Sequence, residues 1–322
     1  MTHTVTLIPG DGIGQEVIPA ARAVLERLGV PLTFQQAEAG FGTFQAHGTA
    51  LPDDTLRLCE ASDAILFGAT GSPLARVEGY SSPILALRRH FDLFANLRPA
   101  CADGIDVLIV RENTEGLYSG RERLEDGGQT AIAERVITAQ ASRRIVRAAC
   151  EQALRRRRRL TLVHKANVLR ETCGLFRRIG LEVAQDYPEL HVDEMLVDTA
   201  ALTLVQDPAR FDVIVTTNLF GDILSDLAAG LAGGLGLAPS ANIGASSPAL
   251  FEPVHGSAPD IAGRGVADPR AAILSALMLL DYLGYERLAS AARYVVLATA
   301  HTGSTQRTTE AICTRLEREL HV

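Results

Sequence analysis

Short apolar runs alternate with segments of helical periodicity along most of the chain. The runs have the length and composition of buried strands. We predict strands at residues 5–8, 32–37, 64–67, 107–110, 160–164, 192–197 and 211–216. Between them apolar residues recur at helical spacing, as at Leu175, Phe176, Ile179 and Val183, and a final helix is predicted over residues 309–320. The alternation predicts an α/β protein with a largely parallel sheet.

The first strand leads into a glycine-rich turn, PGDGIG at residues 9–14, and then into a helix. A turn of this kind between a strand and a helix invites comparison with dinucleotide-binding loops. Its spacing is GxGxG rather than GxGxxG, so the dinucleotide fingerprint is not met. A tight turn that lines a cleft is at least as good an interpretation. A second glycine-rich stretch, residues 230–244, is the best local candidate for a crossing between domains.

Composition limits the classes of function. A length of 322 residues suggests about two domains, and 47% hydrophobic with 21% charged residues is typical of a globular protein. The net charge of −7 and a pI near 5.7 argue against nucleic-acid binding, and the arginine run 155–159 is interpreted as a solvated helix end. The longest apolar run, residues 271–280, is too short to span a bilayer. Five scattered cysteines and no signal-peptide pattern predict reduced thiols in a cytoplasmic protein.

Lys165 is the only lysine in the chain, since every other side chain of the Lys/Arg type is arginine. It follows the apolar strand predicted at residues 160–164. Lysine can shift its pKa and transfer a proton, whereas arginine stays protonated in proteins. Lys165 is therefore a candidate for proton transfer, with a surface lysine retained by chance as the alternative.

Two other sets of side chains suggest chemistry. Arg88, Arg98 and Arg111 carry planar guanidinium groups that can bind carboxylates in bidentate fashion, although ion pairs within the protein are an equally open explanation. Asp222 and Asp226 are four residues apart and are expected on one helix face, where their oxygens suit Mg²⁺ or Mn²⁺. The alternative is an acidic pair at a helix N-terminus, favoured by the helix dipole.

Three further features are ambiguous when each is taken alone. Asp198 ends another apolar strand and could supply a third metal-binding oxygen. Tyr118 is either a general acid or a packed ring. The loop EPVHGSAPDIAG, residues 252–263, is rich in turn-forming and polar residues, so it is either solvated or wraps a ligand. His255 alone is more typical of a structural histidine.

Together these residues resemble the β-decarboxylating dehydrogenases, the family of isocitrate, 3-isopropylmalate, homoisocitrate and tartrate dehydrogenases. The resemblance extends from residue 10 to residue 284, and NLFGDILSDLAAGL and EPVHGSAPDIAG are its most specific motifs. It implies two α/β domains with a cleft between them, not a Rossmann fold. Residues 1–93 and 233–322 would form the large domain and residues 94–232 the small one. It also implies a homodimer or dimer of dimers, in which an arm after Tyr118 clasps the partner.

The resemblance implies a role for each candidate. Lys165 would assist removal of the hydroxyl proton as hydride leaves for NAD, and Tyr118 would protonate the enolate after CO₂ departs. Mg²⁺ or Mn²⁺ would be bound by Asp222, Asp226 and, from the partner subunit, Asp198. The implied substrate-binding residues are Arg88, Arg98, Arg111, Ser82, Ile84, Tyr118 and Asn167. The implied cofactor-binding residues are Glu252, His255, Gly256, Ser257, Ala258, Asp260, Ile261, Asp268 and Asn167.

Cofactor and substrate preference are expected from two segments. Asp260 would accept hydrogen bonds from ribose hydroxyls and repel a 2′-phosphate, which favours NAD over NADP. The segment GYSSPIL at residues 79–85 keeps the serine of isocitrate enzymes at Ser82 but has Ile84 in place of their asparagine. It looks most like the homoisocitrate dehydrogenases, so the expected reaction is homoisocitrate to 2-oxoadipate in lysine biosynthesis through aminoadipate.

Alternatives and departures from the family pattern remain. The alternative substrates are 3-isopropylmalate, of leucine biosynthesis, and isocitrate, and the non-enzyme alternative is a regulatory subunit. Every metal, base and acid position is filled, which argues against the regulatory subunit. Asp268 stands where the family usually has asparagine, and residues 301–307 replace the usual DLGG stretch. Neither departure removes a catalytic group.

Overall fold

The computed structural model describes residues 2–71, 73, 75 and 77–320. The described chain divides into two compact units, which we call unit 1 (residues 1–93 and 234–322) and unit 2 (residues 94–233). Each unit contains both strands and helices, and most of the strand pairs are parallel. The predicted α/β class is confirmed.

The N-terminal part of unit 1 alternates strands and helices. Its elements are β1 (His3–Gly10), α1 (Gly14–Arg27), β2 (Leu32–Gln36), α2 (Phe41–His47), α3 (Asp53–Glu60), β3 (Ala64–Ala69) and α4 (Pro83–His90). Strand β1 pairs in parallel with β2 on one side and with β3 on the other. Every residue of β3 is buried, which explains its continuous apolar run. Helix α4 begins at Pro83, where the missing N–H costs nothing.

Unit 2 also alternates strands and helices, around a second group of strands. Its elements are β4 (Ala95–Ala102), β5 (Ile105–Glu112), β6 (Glu122–Glu125), β7 (Thr130–Ala133), α5 (Ala139–Leu154), β8 (Arg159–His164), α6 (Thr172–Ala184), β9 (His191–Leu196), α7 (Val197–Gln206), β10 (Val213–Thr216) and α8 (Asn218–Leu231). Five strands lie in the order β4-β5-β10-β8-β9, and only the β4–β5 pair is antiparallel. Strands β6 and β7 form a separate, largely exposed hairpin.

The remaining elements of unit 1 complete its sheet. They are β11 (Pro239–Ile243), β12 (Ala249–Pro253), α9 (Arg270–Tyr282), α10 (Glu286–Leu297) and α11 (Thr305–Leu320). Strand β12 pairs in parallel with β3 and antiparallel with β11. Helix α11 begins four residues before the predicted start, because Thr305 Oγ1 donates to Ala267 O and its N–H donates to Gly265 O. Apolar periodicity could not show this polar start.

The sheet of unit 2 determines where its functional side chains lie. Strands β5, β10, β8 and β9 are parallel, so their carboxyl ends meet at one edge. Arg111 lies at the end of β5, Lys165 follows β8, Asp198 follows β9, and α8 follows β10. Among the described helices, none combines the length and apolarity needed to cross a bilayer.

Candidate active site

A buried polar cluster forms where α8 packs against β4 and β5. In the antiparallel register of β4 and β5, Asn96 lies opposite Arg111, and Arg98 is two residues along the strand, so all three side chains share one face. Helix α8 contacts both strands. We call this group the acid–arginine cluster; its members are Asn96, Arg98, Arg111, Tyr118, Asn218, Asp222, Ser225 and Asp226.

Arg111 is at the centre of the cluster and is only 1% exposed. Its Nε and Nη2 donate to Asn218 Oδ1 at 3.1 and 2.7 Å, and Nη1 donates to Asp222. The guanidinium carbon lies 5.0 Å from the centre of the Tyr118 ring. A Cβ at Gly221 would lie 2.7 Å from Arg111 Cβ, so glycine is needed for this packing. The charge of Arg111 is therefore buried with its partners already in place.

Arg98 joins the two aspartates of α8. Its Nη1 lies 3.1 Å from Asp222 Oδ1, 3.4 Å from Asp226 Oδ1 and 2.8 Å from Ser225 Oγ. Asp222 and Asp226 thus share one helix face, as their spacing predicts. No acidic residue lies in the first turn of α8, so the alternative of a pair held by the helix dipole is wrong. Ion pairing within the protein, the alternative for the arginines, is present in this structure.

The environment separates the pKa values of the acidic groups. Burial, together with the hydrogen bond that its hydroxyl donates to Asp222, raises the pKa of Tyr118. Burial also acts to raise the pKa of Asp222, but Arg111, Tyr118 and Arg98 outweigh it, and the net pKa is lowered. For Asp226 burial prevails over the nearby Arg98, and the charge of Asp222 adds to it, so its pKa is raised. The cluster thus holds a protonated phenol beside an ionised carboxylate.

Lys165 and Asp198 form a second, more exposed group. Lys165 Nζ lies 2.6 Å from Asp198 Oδ1, and their side chains are 25% and 63% exposed. The hydrogen bond from Lys165 is the main cause of the lowered pKa of Asp198. Asn167 is exposed in the turn that follows. Within the described residues no three His, Cys, Asp or Glu side chains could hold a metal ion, so Asp198 does not join Asp222 and Asp226 in one chain.

Arg88 on α4 is the main candidate from the substrate segment of unit 1. It is buried, and its Nη2 donates to Glu252 Oε1 at 2.9 Å. Its Nε is a buried donor without a hydrogen-bond partner. Ile84, one turn earlier, packs partly against the apolar core, and Ser82 precedes the helix without capping it through its side chain. A carboxylate ligand would satisfy the orphan donor of Arg88.

The loop 252–263 is partly exposed and carries all the predicted cofactor-binding residues of unit 1 except Asp268. His255 Nδ1 lies 3.0 Å from Gly256 O, so Nδ1 carries the proton, and Nε2 is a buried acceptor without a partner. Burial is the main cause of the lowered pKa of His255. Gly256 and Asp260 are exposed, and Ser257, Ala258 and Ile261 are half-buried.

Asp268, the departure from the family pattern, is paired within the protein. Its carboxylate accepts hydrogen bonds from the side chain of Arg270, at 2.7 Å from Nη2 and 3.0 Å from Nε. The Arg270 guanidinium is itself held by Thr299 O at 3.0 Å. The charge that distinguishes aspartate from asparagine at this position is therefore compensated locally.

Comparison with known proteins identifies the family. The family model described as isocitrate/isopropylmalate dehydrogenase matches residues 4–317. The chain belongs to this family.

Individual relatives agree with this assignment. The chain is 56% identical over 297 residues to the isocitrate/homoisocitrate dehydrogenase of Thermus thermophilus, covering 90% of this chain and 88% of the relative. It is 51% identical over 309 residues to the 3-isopropylmalate dehydrogenase of Archaeoglobus fulgidus, covering 93% and 92%. The crystal structure of isocitrate dehydrogenase from Methylococcus capsulatus matches with a TM-score of 0.92 and 43% identity, covering 98% and 99%.

The protein is therefore a β-decarboxylating dehydrogenase, an oxidoreductase, and the functional class predicted from the sequence is confirmed. The cluster of unit 2 contains guanidinium groups, carboxylate oxygens and a phenol, which by their chemistry can bind carboxylates, hold a divalent ion and transfer a proton. Members of this family use a nicotinamide cofactor and a divalent metal. No relative's name specifies which 3-substituted malate this chain oxidises.

Sequence reasoning missed three polar members of the cluster, Asn96, Asn218 and Ser225. Each could have been found from periodicity. Asn96 alternates with Arg98 on a strand, which places both on one face. Asn218 and Ser225 are spaced four residues before and three after Asp222 on a helix, which again gives one face. Strand β4 itself was not predicted, because Arg98 and Pro99 interrupt its apolar pattern.

Proposed function

We propose that the protein catalyses the NAD-dependent and metal-dependent oxidative decarboxylation of homoisocitrate to 2-oxoadipate, a step of lysine biosynthesis through aminoadipate. The observation that carries this proposal is the acid–arginine cluster, in which two arginines, two aspartates and a tyrosine of unit 2 form one hydrogen-bonded group. The sequence of the 79–85 segment supports the choice of homoisocitrate, as does a relative named isocitrate/homoisocitrate dehydrogenase.

The arginines are proposed to bind the carboxylates of the substrate. Arg98 and Arg111 now contact Asp222, and a substrate carboxylate would take over part of these contacts as a divalent ion neutralises the aspartate. Arg88 is proposed as a further ligand, since its Nε is buried without a partner. Ser82, Ile84 and Asn167 are proposed to line the substrate site.

The donor chemistry of Asp222 and Asp226 fits Mg²⁺ or Mn²⁺, because both are carboxylates on one helix face. A third oxygen is proposed from Asp198 of the partner subunit. When bound, the ion would polarise the hydroxyl and carbonyl oxygens of the substrate.

Two protein groups are proposed to move protons. Lys165, as the neutral amine, would accept the proton of the substrate hydroxyl, and its neighbour Asp198 holds Nζ in place at 2.6 Å. Tyr118 would donate a proton to carbon after CO₂ leaves. Its raised pKa keeps the phenol protonated at neutral pH, as a general acid requires.

The loop 252–263, with Asp268 and Asn167, is proposed to bind NAD, which when bound would accept hydride from the substrate. The buried, unpartnered Nε2 of His255 fits a ligand donor. Exposed Asp260 fits ribose hydroxyls and disfavours a 2′-phosphate. A preference for NADP over NAD in kcat/KM would refute this assignment.

A homodimer, or a dimer of dimers, is proposed as the active form. Four large apolar side chains are exposed on α7 and α8: Leu202 by 56%, Val205 by 55%, Ile223 by 57% and Leu231 by 36%. A second subunit would cover such a surface. Among the described residues Asp198 forms no metal-binding group with Asp222 and Asp226, which supports sites shared between subunits. A cytoplasmic location stays a prediction.

Shared sites can be tested by mixing two inactive variants, Lys165→Arg and Asp222→Asn. A hybrid dimer would contain one site with both defects and one with neither. After unfolding and refolding of an equal mixture, we expect about one quarter of wild-type activity. Mixtures without activity would show that each site is built from one chain.

The substrate is tested by NADH formation with purified protein, NAD and Mg²⁺. Homoisocitrate, isocitrate, 3-isopropylmalate and tartrate are compared by kcat/KM, and homoisocitrate is expected to lead. The second candidate is 3-isopropylmalate. The half-buried apolar Ile84 and Leu85 could face its branch, and a relative of 51% identity bears that name. A lead for 3-isopropylmalate would overturn the homoisocitrate assignment and leave the reaction class intact.

A further inference from the structure

The glycine-rich turn after β1 has no role in the function proposed so far. We call residues 10–16 the anchor turn. Its N–H groups are bonded to protein carbonyls: Asp11 N donates to Ala69 O at 2.7 Å, Ile13 N to Ser257 O at 2.9 Å and Gly14 N to Asp11 O at 3.1 Å. These donors are used by the fold, so the turn is not a phosphate cradle of the dinucleotide-binding kind.

The Asp11 carboxylate binds the backbone of two other segments. Its Oδ2 accepts from Phe41 N and Gly71 N, both at 2.7 Å, and Oδ1 accepts from Gly42 N at 2.9 Å. Gly40 has a φ of +131°, and a Cβ there would lie 2.5 Å from Asp11 Oδ2. The glycine therefore lets the start of α2 approach the carboxylate. One side chain thus connects β1, α2 and the chain that leaves β3.

The contact with Gly71 leads to the predicted substrate segment. Tyr80 Oη donates to Gly71 O at 2.8 Å, so Gly71 is held by Asp11 on its N–H and by Tyr80 on its carbonyl. The Tyr80 ring packs against Phe41 and Phe44 of α2, with centroid distances of 5.2 and 5.4 Å. Tyr80 is two residues before Ser82 and three before the start of α4, which carries Arg88.

Glu16, at the start of α1, binds a different loop. Its Oε1 accepts from Gly263 N at 2.7 Å, and its Oε2 lies 3.4 Å from Thr305 Oγ1. The same loop is bound at Ser257 O by Ile13 N. Gly12, with φ of +56°, permits this approach, because a Cβ there would lie 2.0 Å from Ser257 O. The anchor turn therefore holds the loop 252–263 at two points.

We propose that Asp11 and Glu16 are positioning residues that act on different ligands of the reaction. Asp11 acts through Gly71 and Tyr80 on the segment that binds the hydroxy acid, and Glu16 acts through Gly263 on the loop that binds the cofactor. The proposal rests on the proposed function, which assigns those two segments. In Asp11→Asn the amide oxygen can accept on one side only, so the NH₂ group opposes either Gly42 N–H or the N–H groups of Phe41 and Gly71. In Glu16→Gln the amide oxygen can still face Gly263 N, but the hydrogen bond is no longer made to a charged group. Both changes keep the side-chain size.

The test compares Asp11→Asn and Glu16→Gln for separate effects on the two ligands. For Asp11→Asn we expect the KM of the hydroxy acid to rise about tenfold, as the loss of a hydrogen bond to a charged group predicts, with the KM of NAD nearly unchanged. For Glu16→Gln we expect the KM of NAD to rise by a similar factor, with the KM of the hydroxy acid nearly unchanged. NADH binding without substrate, followed by fluorescence, is expected to weaken about tenfold in Glu16→Gln only.

Matched controls use carboxylates of unit 1 outside these loops. Asp63→Asn removes the charge of a side chain that accepts from Thr4 N at 2.7 Å, and Glu26→Gln, on α1 itself, removes the charge that faces Arg22 on the surface. Both are expected to leave both KM values unchanged. Tyr80→Phe keeps the ring and loses only the bond to Gly71, so it is expected to act like Asp11→Asn with a smaller rise in the hydroxy-acid KM. If Asp11→Asn does not fold, Tyr80→Phe still tests whether the contact between Gly71 and Tyr80 positions the substrate segment.

Equal changes in both KM values for the two variants, or a loss of thermal stability alone, would overturn the proposal. Wild-type protein that oxidises none of the hydroxy acids would instead count against the proposed function. The fluorescence measurement still tests Glu16 in that case, since it needs no turnover. Wild-type protein that binds no NADH would overturn both.

Discussion

The acid–arginine cluster of unit 2 and the anchor turn of unit 1 use carboxylates in opposite ways. In the cluster Asp222 is bound by the charged groups of Arg98 and Arg111. In the anchor turn Asp11 is bound by neutral backbone N–H groups. Side-chain ions can exchange partners when charged ligands enter, whereas backbone donors stay with the loops they belong to. The first arrangement suits a site where ligands bind, and the second suits a fixed support.

The largest effect is expected for Asp222→Asn. Removing one partner of a buried ion pair leaves Arg111 under-compensated, so the free energy of unfolding should fall by about 3 kcal/mol. Loss of the proposed metal-binding oxygen should also lower kcat/KM by about 10³-fold or more. Urea unfolding and steady-state kinetics measure the two effects.

The control is the surface ion pair of Arg143 and Glu182 in the same unit. Arg143 Nη1 lies 2.9 Å from Glu182 Oε1, and both side chains are partly exposed. Glu182→Gln should change stability by less than about 1 kcal/mol and leave activity unchanged. Equal losses of stability in the two variants would show that burial of the cluster has no special effect.

Lys165→Arg separates chemistry from stability. Arginine keeps the positive charge beside Asp198 but does not accept a proton at accessible pH. We expect kcat to fall about 10²- to 10⁴-fold with the free energy of unfolding within about 0.5 kcal/mol of wild type, since Lys165 is only half-buried and Asp198 is exposed. The control is Arg159→Lys, an exposed position at the start of the same strand. Retained activity in Lys165→Arg would exclude a proton-transfer role.

The two regions should also differ in acid sensitivity. The pKa of His255, in the loop held by the anchor turn, is lowered from 6.5, so the unfolded chain binds the proton more readily. Its contribution to stability is therefore lost as pH falls below 6.5 towards the folded pKa. The pKa of Asp222 is lowered from 3.8, so its contribution persists down to that range and is lost only below it.

Urea unfolding at pH 7 and pH 5 tests the histidine. We expect His255→Gln to lose less stability than wild type between these two conditions. His47→Gln, an exposed histidine on α2, should behave like wild type. An unchanged pH dependence in His255→Gln would assign the acid sensitivity to other groups.

The smallest expected effects are changes in local unfolding, which can be measured as the rate at which buried cysteines are alkylated. Cys59 lies in unit 1 and Cys150 in unit 2, and burial raises the pKa of each thiol to about 12. Both should react slowly with alkylating reagents in the native protein. Asp11→Asn should accelerate labelling of Cys59 and Asp222→Asn that of Cys150, as mass spectrometry can measure. Acceleration of both thiols by either variant would show that the two regions open together.

Local patterns in the sequence predicted much of the fold. The strands at residues 64–67 and 160–164 were visible because continuous apolar runs report burial on both faces. The family followed from two long motifs, and the spacing of Asp222 and Asp226 placed them on one helix face. The exposed hairpin of β6 and β7 has no such periodicity and was not predicted as strands.

The sequence by itself thus determined the α/β class, the family and the residue types available for chemistry. Only the tertiary structure decided their partners. Arg111 meets Asn96 through the register of two strands, and Asp11 meets Phe41 and Gly71, which lie 30 and 60 residues further along the chain. Periodicity arises from a residue's neighbours along one element and can be seen in the sequence. Contacts between elements depend on register and loop path, which are set when the whole chain folds.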